Sequence, residues 1–215
     1  PAVWPPKPVT PPAPNPDRYN RLEIFTDIIS FFTRPWAQAF GSFDDGHLEK
    51  ADALPKEGPG YLKVFQERNR NFGSLDLLSL LSESAKEIHR EFPAAEVVQI
   101  GDVSKQGGGL IRGHGSHQNG LDVDVVYFRR DRKIQSPTGS CPDKSTGFCE
   151  QLVDKKGNVT PNFDVETNWK FIQILASTGR LDRIFADRKI KKVFCEYAVM
   201  KGMRESWKET LRKLR

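Results

Sequence analysis

The sequence lacks the features that mark a membrane-spanning protein, a phosphate-loop protein or an RNA-binding module. No apolar run approaches the about 18 residues that a membrane-spanning helix needs. The glycines at 107–109 are not followed by Gly-Lys-Ser/Thr, which excludes a phosphate loop. The basic residues near the end of the chain carry no RNA-binding signature. The chain begins at Pro1 with neither an initiating Met nor a signal peptide, as expected of a processed or trimmed product.

Length and composition indicate one globular domain, with or without a tail. The chain has 215 residues, of which 37% are hydrophobic and 28% charged, with a formal net charge of +5. The basic residues concentrate after position 180, where acidic residues are interspersed with them. This pattern favours a solvated helix face, and the alternative is a surface for an anionic polymer, either nucleic acid or acidic cell-wall glycan.

The three cysteines leave the redox compartment open between two alternatives. Cys141 and Cys149 bracket a loop rich in Pro, Gly, Ser and Thr. They either form a disulfide across a hairpin-like turn, which indicates an oxidising compartment, or remain two buried thiols. Cys195 is then left without a partner in this sequence.

Periodicity and helix-start signals outline a mixed domain behind a proline-rich arm. The eight prolines before residue 17 predict an extended arm, so we divide the chain into an arm with its lead-in (1–35) and a domain (36–215). In the domain we expect a helix that opens at Ser74 and ends before Pro93, further helices at 165–177, 187–198 and 205–215, and strands at 96–102, 121–128 and 181–185.

The candidate metal-binding motif begins at His117 and ends seven residues later at Asp124. An imidazole nitrogen and a carboxylate oxygen are two of the three protein ligands that a hydrolytic zinc ion usually has. Alternation on the predicted strand brings Asp122 and Asp124 to one face, where two carboxylates are costly unless a metal ion or loop amides compensate them. The third ligand is missing from the motif, because none of the four histidines follows His117.

The run at 116–124 resembles the first zinc motif of the penicillin-insensitive murein endopeptidases, which belong with the lysostaphin-like, D-Ala-D-Ala and hedgehog-type zinc peptidases. The resemblance extends from about residue 36 to 215, through the segments 41–43, 51–55, 71–77, 100–102, 183–185, 190–195, 207 and 211–215.

This resemblance implies that His117 and Asp124 bind the catalytic zinc ion. It also implies that the third ligand belongs to a His-x-His pair, whose other histidine assists proton transfer, expected shortly after Arg215. The chain would then end before that pair, and before the cysteine that pairs with the counterpart of Cys195. His114 matches a histidine that binds an additional metal in the family. Here we expect it to support the site or to contact substrate, with metal binding as the alternative role.

Three neighbouring side chains receive supporting roles. Ser116 and Gln118 are expected to order the loop, and Asp122 to hold a zinc ligand. We therefore expect an α+β fold in which a small antiparallel sheet carries the zinc site and helices flank it.

The function implied by the resemblance is a zinc endopeptidase that cleaves D-alanyl–diaminopimelyl amide cross-links of peptidoglycan. We expect a zinc-activated water as the nucleophile, peptidoglycan but no nucleic acid as the partner, and a periplasmic or secreted location. The first alternative is a non-catalytic cell-wall binding protein on the same fold. The second, a basic nucleic-acid-binding module, predicts strongly salt-dependent binding without a metal requirement.

Overall fold

A computed structural model describes residues 37–134, 151–202 and 204–215 of the chain. The predicted proline-rich arm and the loop with Cys141 and Cys149 lie outside these ranges, so that the arm and the disulfide stay predictions. Cys195 is a half-buried thiol that forms no disulfide with a described residue. No helix in the described ranges combines the length and apolar character needed to cross a membrane.

The described residues form short strands and four α-helices, which confirms the α+β class. The strands are β1 (Gln38–Gly41), β2 (Gly46–Glu49), β3 (Asp52–Ala53), β4 (Glu57–Gly58), β5 (Tyr61–Lys63), β6 (Phe72–Gly73) and β7 (Val98–Ile100). The helices are a 3-10 turn (Gln66–Arg68), α1 (Leu75–Glu91), α2 (Val165–Ser177), α3 (Arg188–Met200) and α4 (Arg204–Lys213).

The strands pair into three small sheets. β1 pairs with β2 and β3 with β6, both antiparallel. The third sheet has the order β4-β5-β7, in which β4 and β5 are antiparallel. β5 and β7 run parallel, unlike the predicted antiparallel arrangement. Because α1 lies between β5 and β7 in the chain, it provides the long crossover that a parallel pair requires.

The segment at 121–128 was expected to be a strand. In the structure it runs antiparallel beside β7 but does not form a continuous strand. Its only ladder bridge joins Ile100 and Val125. Both backbone polar groups of Asp124 are bonded to the residues that follow β7: Gly101 N donates to Asp124 O at 2.7 Å, and Asp124 N donates to Asp102 O at 2.9 Å. The segment therefore holds Asp124 at the carboxyl end of β7. The predicted strand at 181–185 is likewise reduced to one bridge, between Ile184 and Leu214.

The helix starts follow the predicted caps. Ser74 Oγ accepts a hydrogen bond from Leu77 N at 3.2 Å at the start of α1. The Asp187 carboxylate accepts one from Lys189 N at 2.7 Å at the start of α3. These contacts satisfy amides that have no partner within the helix.

Helix α2 joins the two hydrophobic cores of the domain. The first core includes α1, β7 and one side of α2, with Phe171, Ile174 and Leu175. The second core packs α3 and the end of α4 against Trp169 and Ile172 on the other side of α2. Because α2 is apolar on both sides, it is enclosed, and it fixes the helical layer relative to the sheet that carries the candidate site.

Candidate metal centre

His117 is buried on a loop, and neighbouring side chains hold its backbone at several points. The residue has a left-handed backbone (φ 69°) and its exposed fraction is 3%. Ser104 Oγ donates a hydrogen bond of 2.5 Å to His117 O, and both carboxylate oxygens of Asp122 accept from His117 N at 3.1 Å. A non-glycine residue in this conformation costs free energy and persists only where its surroundings hold it. These contacts therefore fix the direction of the imidazole.

The loop is also fastened to the β1–β2 hairpin. Gln118 Nε2 donates to Asp44 O at 2.7 Å, and Gln118 N donates to Phe43 O at 3.0 Å. Asn119 Nδ2 donates to Gly41 O at 3.3 Å. Ser116, which we expected to help order the loop, has no hydrogen-bond partner among the residues that the structure describes. Gln118 and Asn119 thus connect the histidine loop to a hairpin more than 70 residues away in sequence.

Gly120 allows the loop to approach the sheets closely. Its φ is +68°, and a Cβ added there would lie 2.7 Å from Leu48 Cδ2 and 3.0 Å from Gly73 Cα. Gly120 O also accepts a hydrogen bond from Ser74 N at 3.0 Å. These close neighbours belong to β2 and β6.

The imidazole of His117 lies between two carboxylates. Nε2 is 3.3 Å from Asp124 Oδ1, and Nδ1 is 3.1 Å from Asp122 Oδ2. Nδ1 is buried and has no partner with hydrogen-bond geometry, so its interaction with Asp122 is electrostatic. Burial lowers the pKa of His117, but the hydrogen bond with Asp124 and the charges of both carboxylates outweigh it, and the pKa is raised.

His114 completes a group of three potential metal ligands. One donor atom each from His114, His117 and Asp124 can be chosen so that all lie within 4.8 Å of one another. The two imidazole rings meet edge to face, with centroids 5.4 Å apart. Two nitrogens and one carboxylate oxygen are a donor set that suits zinc. The structure thus brings the three proposed ligands together.

His114 is also engaged by an arginine that the sequence analysis did not single out. Arg70 Nη1 lies 2.7 Å from His114 Nε2. A guanidinium group can only donate, so Nε2 accepts and the ring is neutral. Burial, followed by the charge of Arg70, lowers the pKa of His114. Arg70 therefore holds His114 in the protonation state that a metal ligand requires, while it competes for one of the ring nitrogens.

Behind His114 lies Asp102, a carboxylate whose side chain is completely buried at the end of β7. Its Oδ2 accepts from Arg70 Nη1 at 2.9 Å and from Arg68 Nη1 at 3.1 Å, and it lies 3.5 Å from His114 Nε2. Lys63 Nζ is 4.0 Å from Oδ1. Sequence reasoning identified this position only as the end of a strand. The available signal was an aspartate shortly after a buried apolar strand, together with two arginines separated by a single residue.

The chain is similar to proteins of one family over most of its length. The sequence profile of the penicillin-insensitive murein endopeptidases matches residues 39–215. A protein of that name from Klebsiella pneumoniae subsp. pneumoniae is 31% identical over 206 residues, which cover 90% of this chain and 70% of the relative. Another from Escherichia coli O157:H7 is 29% identical over 210 residues, with the same coverage. With its histidine and aspartate donors gathered at one end of β7, the chain belongs to the penicillin-insensitive murein endopeptidase family.

Proposed function

We propose that this protein is a zinc-dependent endopeptidase that hydrolyses amide cross-links of peptidoglycan, and that residues 36–215 form its catalytic domain. The observation that carries the proposal is the 3.3 Å distance between His117 Nε2 and Asp124 Oδ1. Two ligand atoms that each lie about 2.0–2.1 Å from a tetrahedral zinc ion are roughly 3.3 Å apart. The two side chains therefore fit a shared zinc ion with little rearrangement.

Zinc, when bound, would activate a water molecule as the nucleophile and polarise the scissile carbonyl. His117 and Asp124 would hold the ion. The third protein ligand is either His114, whose donor atom lies within reach, or a histidine after Arg215, which the family resemblance implies. If His114 binds through Nε2, it has to exchange its contact with Arg70 for the ion.

The remaining residues of the site orient these ligands. The carboxylate of Asp122 beside Nδ1 favours the tautomer with the proton on Nδ1, and this leaves the Nε2 lone pair of His117 free to bind a metal. The same carboxylate accepts from the His117 amide, so one side chain fixes both the backbone and the ring. Asp102 and Arg70 hold His114 from the other side.

The test compares His117→Ala and Asp124→Ala with His89→Ala, a histidine exposed on α1. We expect both site variants to remain folded, to lose stoichiometric zinc binding in competition with a chromophoric chelator, and to lose hydrolysis of cross-linked muropeptides followed by chromatography. His89→Ala should keep both properties. A folded His117→Ala variant with full activity would exclude the proposed centre.

The same assay distinguishes the alternative function. A zinc-loaded protein that binds peptidoglycan and cleaves no amide bond would be the non-catalytic cell-wall binding protein. Since peptidoglycan lies outside the cytoplasm, the proposed substrate also implies a periplasmic or secreted location. The predicted Cys141–Cys149 disulfide is consistent with that location.

A further inference from the structure

Three cations surround the single buried carboxylate of Asp102. Arg68 and Arg70 donate to Oδ2, and Lys63 Nζ lies near Oδ1. Asp102 is thus the one buried carboxylate that pairs with three positive charges. Glu67 and Asp124 also act on Lys63, more weakly than Asp102 does, and Asp124 already belongs to the candidate metal centre. The cluster is therefore short of negative charge.

The ammonium group of Lys63 is buried within the fold and only partly compensated. Its side chain is only 2% exposed, although burying an ammonium group is costly unless it is compensated. Nζ donates one hydrogen bond of 2.5 Å to Val64 O, while Asp102 Oδ1 has no hydrogen-bond partner. Burial lowers the pKa of Lys63, and the charge of Asp102 opposes that shift. An additional anion would stabilise the charged form of Lys63.

A pocket opens beside this cluster. Its lining residues are Lys56, Lys63, Gln66, Asn69, Arg70 and Asn71. None of the six is acidic. Arg70 uses only Nη1 for Asp102 and His114, and its Nε and Nη2 have no partner among the described residues. Lys56 is exposed and forms no ion pair with a described residue. Free donors and unbalanced positive charge thus occur together in this pocket.

We propose that this pocket is a carboxylate-binding subsite for the substrate peptide. Arginine recognises carboxylates through parallel hydrogen bonds. Arg70 contacts His114 with one nitrogen, so an anion bound to its other nitrogens would lie one side chain away from the candidate metal ligands. In a D-alanyl–diaminopimelyl cross-link, the diaminopimelyl residue keeps a free carboxylate next to the scissile amide nitrogen. The subsite would hold that carboxylate and so position the amide; this assignment rests on the proposed hydrolase activity.

The test uses two cross-linked muropeptide dimers that differ only at this group, one with the carboxylate and one with the carboxamide. We expect zinc-loaded wild-type protein to cleave the carboxylate form with a kcat/KM roughly 10- to 100-fold higher, as expected for hydrogen bonds to a charged group. Because Arg70 also holds His114, Arg70→Gln should lower kcat/KM for both dimers, but much more for the carboxylate form, and so remove most of this preference. Lys56→Gln, at an exposed position that leaves the fold intact, should reduce the preference about 3-fold or less.

Lys86→Gln on α1 is the matched control for loss of one exposed positive charge, and it should keep the wild-type preference. Equal cleavage of the two dimers by the wild type would overturn the subsite. Equal losses for both dimers in Arg70→Gln would do the same, since they would mean that Arg70 only maintains the site.

A binding measurement separates the subsite from the hydrolase activity. Metal-free wild-type protein is titrated calorimetrically with uncross-linked stem peptides that carry the same carboxylate or its carboxamide. Tighter binding of the carboxylate form, lost in Arg70→Gln, would support the subsite even if neither dimer is cleaved. Cleavage of both dimers without any preference in binding or kcat/KM would refute the subsite and leave the hydrolase activity standing.

Discussion

Replacement of Asp102 by Asn removes the one negative charge at the centre of the basic cluster. Asn has nearly the same shape, so packing is retained. The change leaves Arg68 Nη1 and Arg70 Nη1, now 3.1 and 2.9 Å from Oδ2, opposite a neutral amide. Lys63, almost completely buried, loses its strongest electrostatic partner. The repulsion among the three cations is then compensated only by the weaker interactions with Glu67 and Asp124, and we expect the free energy of unfolding to fall.

The magnitude follows from the burial of each partner. Removing one member of a buried charge pair typically costs about 3–5 kcal/mol. The Arg68 and Arg70 side chains are 29% and 22% exposed, so they can turn partly towards water and recover some hydration. We therefore expect a loss of about 3 kcal/mol, at the lower end of that range. For a protein of this length, such a loss lowers Tm by roughly 6–12 °C.

The assay is urea denaturation at neutral pH, followed by circular dichroism, with Asp182→Asn as the control. Asp182 also pairs with an arginine, Arg183, but the two side chains are 78% and 49% exposed. A surface ion pair of this kind contributes less than about 1 kcal/mol. If Asp102→Asn lost no more stability than Asp182→Asn, the buried carboxylate would not be what compensates Lys63, Arg68 and Arg70.

Two further changes test the loop and a buried carboxyl group. Gly120→Ala should lower the free energy of unfolding by about 1–3 kcal/mol, because the backbone there is left-handed and its neighbours are close. Gly107→Ala, where an added Cβ meets nothing within 4 Å, should be neutral in the same urea titration. Equal effects of the two substitutions would contradict the explanation. Burial raises the pKa of Glu96, which accepts a hydrogen bond from Arg129 N. The contribution of Glu96 to the free energy of unfolding is therefore present below the pKa that it has in the unfolded state. It is lost as the pH rises through the higher pKa of the folded state. Glu96→Gln should therefore gain stability relative to wild type between pH 4 and pH 7, and a difference independent of pH would refute this.

The helices could be predicted because their signals are local. The apolar residues that define the buried face of α1 begin within a few residues of Ser74, whose side chain caps the helix. The helix at 165–177 was predicted with the bounds that the structure gives it. In each case the sequence contains both the apolar face and the residue that satisfies the first amides.

The basic cluster was not predicted because it depends on contacts between distant segments. Arg70 is 32 residues from Asp102 and 44 from His114 in sequence, and no periodic pattern joins such positions. The pairing of His117 with Asp124 was accessible because both residues belong to one short motif. The segment at 121–128 reads as a strand by alternation, yet among the described residues its ladder pairing with β7 is limited to one bridge.

The attachment of the histidine loop to the β1–β2 hairpin has a thermodynamic consequence. Gln118 and Asn119 bind backbone carbonyls of the hairpin turn and its edge, so opening the hairpin releases the segment that orients His117. Hairpin formation then strengthens the binding of any ligand that requires the ordered loop. By thermodynamic linkage, that ligand stabilises the closed hairpin by the same free energy. The hairpin contributes no chemical group to the centre, but the affinity of the centre depends on how rarely it opens.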